Sequence, residues 1–290
     1  MTTVSSNEQV VGSALKRVTT VATLPASAIR IMKIAENPMS TEDELLEVLE
    51  GDPPLAARVL KVVNSAFYGR PRQVGSTAAA MRLLGVNAIR NVALAASLNR
   101  LFRGGRTVPG FEAMELWTHS VAVGTAARRI AERCRGIPPE EAMLAGLLHD
   151  IGLLVAIQAS PTEFALLIAA TSQDSATSFA ESETKWLGAT HEAFGQGLCE
   201  QWRFPDALAK ACGHHHDPMA LAVADQRLPA IIHVADVLAG RVGGGFTRSV
   251  GRDVPRDGVC ALLGLSVDDL AEIETQLSGD VEQTLGLLAA

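Results

Sequence analysis

Aromatic residues are scarce in this 290-residue chain, which has one tyrosine, three tryptophans and eight phenylalanines. Strands draw on aromatic and β-branched side chains, so a strand-rich fold is disfavoured; prominent alanine and leucine favour helix. Cysteine is scarce as well. Cys134, Cys199, Cys212 and Cys260 are dispersed and form no C-x-x-C pair. That argues against a disulfide framework and makes a reduced, cytoplasmic setting the expectation. Residues 1–11 are polar and lack the apolar core of a signal peptide. The longest apolar runs, 89–98 and 144–159, are interrupted by Arg90, Asn91, His149 and Asp150 or are too short, so no membrane span is expected.

Two absences are local. Between Pro53 and Phe111 there is no Asp or Glu, while Arg58, Lys61, Arg70, Arg72, Arg82, Arg90, Arg100, Arg103 and Arg106 fall inside that stretch. Residues 1–110 carry 13 basic and 8 acidic side chains and residues 111–290 carry 12 and 24, which splits the overall −7 into +5 and −12. Three readings fit: lobes that dock on each other, an anionic partner for the basic half, or ordinary solvated helix faces. No nucleic-acid motif accompanies the charge, so nucleic acid is not the expected partner. Histidine is absent from the first 118 residues; all seven lie at 119, 149, 191, 214, 215, 216 and 233.

What is present reads as helix. Thr41 and Glu44 are spaced as a capping box ahead of Leu45, Leu46, Val48 and Leu49. Asp52-Pro53-Pro54 opens a helix with Leu55, Val59, Leu60 and Val63 at helical spacing. Gly85 stops a short helix, and 86–102 reads as a longer one. Gly104-Gly105 and Val108-Pro109-Gly110 mark a break between lobes. Further helices are expected over 112–133, from 138 to 148, and over 162–170, 178–187, 190–202, 205–212 and 229–238. Gly243-Gly244-Gly245 reads as a flexible joint, followed by helices over 266–277 and 280–288. The expected fold class is all-α. An N-terminal segment (1–19) precedes a helical lobe (20–105), a histidine-bearing lobe (106–240) and a C-terminal helical extension (241–290).

The chemistry concentrates at Gly146-Leu147-Leu148-His149-Asp150-Ile151-Gly152. A histidine and an aspartate inside an apolar run must be paired, hydrogen-bonded or bound to metal. A helix cap and a metal site both satisfy that demand. Glu115 and His119 are four apart and share a helix face. His191 sits where a helix starts, His215-His216 precede the turn Asp217-Pro218, and Asp236 lies three residues after His233. Imidazole and carboxylate donors drawn from several helices suit Fe, Mn or Zn better than Ca or Mg, and their number allows two ions. His233 reads as structural, because Asp236 already supplies a group from that helix, and His214 as the exposed member of its triplet.

Trp117-Thr118-His119-Ser120, the stretch 146–152, Gly188-Ala189-Thr190-His191 and His215-His216-Asp217-Pro218 together resemble an HDOD domain. Leu24-Pro25, residues 52–60, Asn64-Ser65-Ala66 and Leu84-Gly85 extend the resemblance, which covers roughly residues 20–240. The HDOD family is a branch of the HD superfamily, whose enzyme members are metal-dependent phosphohydrolases. The resemblance implies an N-terminal helical lobe packed on an HD-type helical lobe. It implies the ligands His119, His149, Asp150 and Asp236. By similarity to HD-GYP phosphodiesterases, which hydrolyse cyclic di-GMP, it adds His191, His215, His216 and Glu115. The chain departs from those enzymes at Leu153, where they have lysine, and in lacking Gly-Tyr-Pro after the His215-His216 pair. The implied function is a signal-transduction module with a retained site for one or two Fe-, Mn- or Zn-like ions. A regulatory protein or an anionic small ligand such as a nucleotide would bind at 53–111. The alternative is a phosphohydrolase acting on a nucleotide or cyclic dinucleotide.

Overall fold

The computed structural model describes residues 6–18, 24–37, 39–65, 73–103, 107–173 and 178–288. Ala66, Arg70, Arg72, Gly104-Gly105 and Arg106, named above, lie outside the described residues. α1 (Ser6–Arg17) packs on the histidine-bearing part, and the first lobe holds α2 (Ala26–Glu36), α3 (Glu42–Glu50), α4 (Pro53–Val63), α5 (Thr77–Leu84) and α6 (Val86–Phe102). The histidine-bearing part holds α7 (Ala113–Arg133), α8 (Pro139–Leu148), α9 (Ile151–Ala159), α10 (Pro161–Gln173), α11 (Phe179–Leu187), α12 (His191–Gln201), α13 (Asp206–His214) and α14 (Arg227–Val242). The short α15 (Val259–Leu263) and the long α16 (Val267–Leu288) follow. The fold is all-α, with no strand among the described residues.

Helix starts follow local chemistry. Thr41 and Glu44 close a reciprocal capping box on α3, and Ser178 and Glu181 do the same on α11. Asp52 accepts from Leu55 N–H at the start of α4. Such caps satisfy amide groups that have no partner inside the helix, each contributing about 1 kcal/mol. Gly85 stops α5 at φ 86°, a conformation that costs glycine little.

Helix approach distances place the site. A Cβ on Gly146 of α8 would come within 2.6 Å of Gly124 Cα on α7, so this glycine pair lets the two backbones touch. A Cβ on Gly152 would overlap the carbonyl oxygen of His191, so the start of α9 rests directly on the start of α12. These two contacts bring His119, on α7, and His191, on α12, to opposite sides of the His149-Asp150 turn.

Three expectations are corrected. Residues 266–277 and 280–288 are one continuous helix, α16, because Gly279 lies in open space and nothing forces a break there. Ser266 and Asp269 form a reciprocal cap at its start. The Gly243-Gly244-Gly245 joint is pinned rather than free. Gly245 (φ 76°) packs against the backbone of Glu115 and His119, and Phe246 N–H donates to Glu115 O at 3.1 Å. Finally, α16 is built into both lobes. Arg129 pairs with Asp280 at 2.8 Å, Lys61 donates to Gly286 O at 2.9 Å, and Asn99 donates to Leu288 O at 2.7 Å. The apolar run Pro139–Ala159 is long and apolar enough to cross a membrane, yet 89% of its most apolar window is buried inside the protein and His149-Asp150 sits in its middle.

Candidate metal centre

His149 ends α8 and Asp150 occupies the N-cap position of α9, but the Asp150 side chain makes no capping hydrogen bond. This removes the helix-cap reading of the pair. The carboxylate instead turns inward, where Ser249 Oγ donates to its Oδ2 at 2.7 Å. Around it lie two groups. On one side His149 Nε2 is 3.4 Å and His119 Nε2 3.9 Å from Asp150 Oδ2, and Asp236 Oδ1 is 3.1 Å from His119 Nε2 and 3.8 Å from His149 Nε2. On the other side His191 Nε2 is 3.2 Å and His215 Nε2 3.6 Å from Asp150 Oδ1. His216 Nε2 completes that group, 3.2 Å from His191 Nε2. Asp150 therefore faces one group with each of its oxygens.

The ring orientations are fixed from behind. His149 Nδ1–H donates to Gly146 O at 2.8 Å, His215 Nδ1–H to Cys212 O at 3.0 Å, and His191 Nδ1 meets Glu183 Oε2 at 2.8 Å. A carbonyl oxygen only accepts, so in the neutral ring the Nε2 lone pairs of His149 and His215 point into the centre. Outer partners of this kind commonly orient metal-ligating histidines. His191 Nε2 and His215 Nε2 stand 3.3 Å apart, a spacing that two lone pairs tolerate only with a proton or cation between them. His119 Nε2, His149 Nε2, Asp150 Oδ1 and Asp236 Oδ1 are buried and, although close to one another, make no well-aligned hydrogen bond. Orphaned buried donors and acceptors are rare in folded proteins, and here they converge. The residues fit a metal centre.

Electrostatics agree. Burial pushes the Asp150 carboxyl up, but His149 and His191 outweigh it and hold the group well below the usual carboxylate range. Asp236 is held low in the same way, burial being overcome chiefly by His119. Desolvation opposes charge on His191, yet Glu183 and Asp150 raise it to about 10. Burial, together with the neighbouring His215 and His191, keeps His216 well below the ordinary imidazole value. Three buried carboxylates (Asp150, Asp236 and Glu183) thus demand positive charge inside the centre, which imidazolium or a metal ion supplies.

Seven of the eight expected ligands come together: His119, His149, Asp150, His191, His215, His216 and Asp236. Glu115 does not. Its side chain is exposed, beside Arg248 in a cleft over Thr107–Glu112, and the Gly245–Phe246 segment occupies the backbone between it and His119. His233 is structural as expected. Its Nδ1–H donates to His215 O at 2.7 Å and its Nε2 accepts from Arg256 N–H at 3.0 Å, so neither nitrogen is free. His214 is half-buried at the end of α13. The sequence reading missed Glu183, Ser249, Glu192 (whose Oε1 accepts from His216 N–H at 3.0 Å) and Arg256 (whose Nε donates to His216 O at 2.7 Å). Ser249 and Arg256 lie in the C-terminal segment 241–290, and no local motif marks them. The seven converging side chains are 2% exposed or less, except His216 at 20%, where the centre meets the surface.

The family model for the HDOD domain matches residues 21–218. Among curated proteins the chain is 23% identical over 208 residues to an uncharacterized protein of Treponema pallidum, spanning 69% of this chain and 38% of that relative's length. Among solved structures it is similar to an HDOD domain protein of unknown function from Geobacter sulfurreducens (25% identity, TM-score 0.77, 97% and 98% of the two chains covered). A provisionally named signal transduction protein from Marinobacter aquaeolei VT8 is similar at 24% identity and TM-score 0.76, with 98% of this chain and 66% of that one covered. A provisionally named phosphohydrolase from Shewanella amazonensis SB2B follows at 24% and 0.72, covering 96% and 98%. The last two likenesses concern the fold. With two thirds of its length matched by the family model and the family's paired histidine and aspartate at the heart of the fold, the chain belongs to the HDOD domain family.

Proposed function

We propose that this chain is a regulatory HDOD module in signal transduction. Its buried centre holds one or two Fe-, Mn- or Zn-like ions, and its output is the binding of a partner or anionic ligand at the basic first lobe. One observation carries this reading: a complete donor set is sealed from solvent almost everywhere except at His216. Ser249 and Arg256 close over it from the C-terminal side. Leu153, fully buried, stands one turn from Asp150 where the resembling phosphodiesterases have lysine, so it offers no charge to a phosphate. Such an arrangement favours holding an ion over turning substrate past it.

A second reading, a metal-dependent phosphohydrolase for nucleotides or cyclic dinucleotides, draws support from Asp150, each of whose oxygens faces one histidine group. Metal bound there would acidify a water and offset charge on phosphoryl oxygens. The chain's own part would be orientation: Glu183 fixes His191, Ser249 fixes Asp150, and Arg256 brings a cation beside His216 at the surface. Elemental analysis of the purified protein, followed by a panel of nucleotides and phosphodiesters with metal-loaded protein, separates the two. Bound metal without turnover supports the regulatory reading. Turnover that His149→Ala abolishes establishes the hydrolase, and protein without metal after loading refutes both.

A further inference from the structure

A second site lies where the two lobes meet. Met32 and Ala35 of α2, Arg90, Asn91 and Leu94 of α6, Leu144 of α8, and the segment Arg203-Phe204-Pro205 with Leu208 of α13 enclose a cavity of about 360 Å³. Its walls are mostly apolar, and its lining contains two arginines and no carboxylate. Arg90 is half-buried, and the hydrogen bond on its guanidinium, from Nε to Asn91 Oδ1, is long at 3.4 Å. Glu141, outside the lining, is an electrostatic neighbour of Arg90.

Arg203 adds an independent observation. Among the described residues it is the non-glycine residue with positive φ, at 59°. The position follows the end of α12, where Arg203 N–H bonds Glu200 O and Phe204 N–H bonds Cys199 O. Glycine normally fills such a left-handed helix exit because a Cβ there is strained. Strain retained at a pocket rim motivates a functional reading.

We infer that this interlobe cavity binds a small amphipathic anion, with a carboxylate or phosphate head between Arg90 and Arg203 and an apolar body against Met32, Leu94, Leu144 and Phe204. The volume lies within the usual range for small-ligand sites, roughly 300–1,000 Å³, and such sites pair apolar walls with few polar groups. Guanidinium matches both head groups through paired N–H donors. Leu144 and Leu208 sit on α8 and α13, the helices that run into His149 and His215, so an occupant touches elements that carry the metal centre. The inference rests on the part of the proposal above in which the first lobe takes an anionic ligand, and it does not need the metal.

Thermal-shift and calorimetric titration of the full chain test it, with decanoate, AMP, decanol and inorganic phosphate as probes. Decanoate or AMP is expected to bind and raise Tm, the stronger of the two telling an acyl from a nucleotide body; decanol and phosphate alone are expected to bind far more weakly. Arg90→Gln and Arg203→Gly are each expected to weaken binding roughly ten- to a hundredfold, as for loss of a charged hydrogen bond. Arg203→Gly without ligand should keep or raise its Tm, because glycine accepts φ 59° at no steric cost, so weaker binding in that variant is not a folding defect. No binding of decanoate or AMP, or equal binding by wild type and both variants, overturns the inference. Metal content measured on the same samples tells its failure apart from failure of the metal centre.

Discussion

Glu183→Gln is the sharpest test of how the centre is built. Glu183 is fully buried on α11 and accepts twice from one residue, at 3.0 Å from His191 backbone N–H and at 2.8 Å from its Nδ1. Glutamine keeps the shape but has one oxygen and one NH2, so one of the two donors loses its acceptor. An unmatched buried donor costs about 1–3 kcal/mol. At about 2–4 °C per kcal/mol for a chain of this size, Tm should fall by about 2–12 °C. The lost carboxylate also lowers the basicity of His191 and loosens its orientation. Outer partners of this kind are worth about 10–100-fold in metal affinity, or about 1.4–2.7 kcal/mol. Competition titration against a chromophoric chelator reads the affinity, and calorimetry of metal-free protein reads the stability. If Tm falls while metal affinity stays within a factor of about two, Glu183 only supports the fold and His191 is not a ligand.

Four other outcomes are expected. Asp150→Ala should reduce bound metal by more than His119→Ala does, since Asp150 faces both histidine groups; equal losses by elemental analysis would contradict a shared carboxylate. Metal uptake at pH 7 should release protons into a weakly buffered indicator solution. His191, raised from 6.5 to about 10, is protonated there before the metal arrives, and His191→Ala should shrink the release. The same raised value stabilises metal-free protein fully below about pH 6.5, and that contribution is lost as pH climbs through about 10; a Tm that rises over this interval would contradict it. Gly152→Ala should be among the most damaging single changes, because its methyl meets the His191 carbonyl and Gly195 N at 2.6 Å. Circular dichroism should show a large loss of stability, whereas alanine at Gly279, in open space, should change little.

Much of this architecture was legible in the chain because its signals are local. Capping at Thr41, Asp52, Ser178 and Ser266 places helix starts within a few residues, since the hydroxyl or carboxylate and the amide it satisfies are close in sequence. Seven candidate ligands were legible for a different reason: histidine and aspartate inside apolar helices carry a burial cost that only a shared purpose offsets. Glu115 misled because a common helix face sets direction but not depth. His119 lies under α14 and the Gly245 segment, whereas Glu115, one turn earlier, emerges into solvent.

Tertiary structure alone decided the rest. That Asp150 faces inward instead of capping α9 depends on Ser249, 99 residues away. That His191 carries charge at a helix start depends on Glu183, whose role has no signature at its own position. That the C-terminal helix joins the lobes depends on carbonyls at its far end meeting Lys61 and Asn99. Composition and spacing determined that this chain is helical, where most helices begin and which residues are too costly to bury singly. The closeness of α7 to α8 and of α9 to α12, set by glycines that admit backbone contact, decided which of those residues share one space, because no pattern along a chain encodes the distance between its helices.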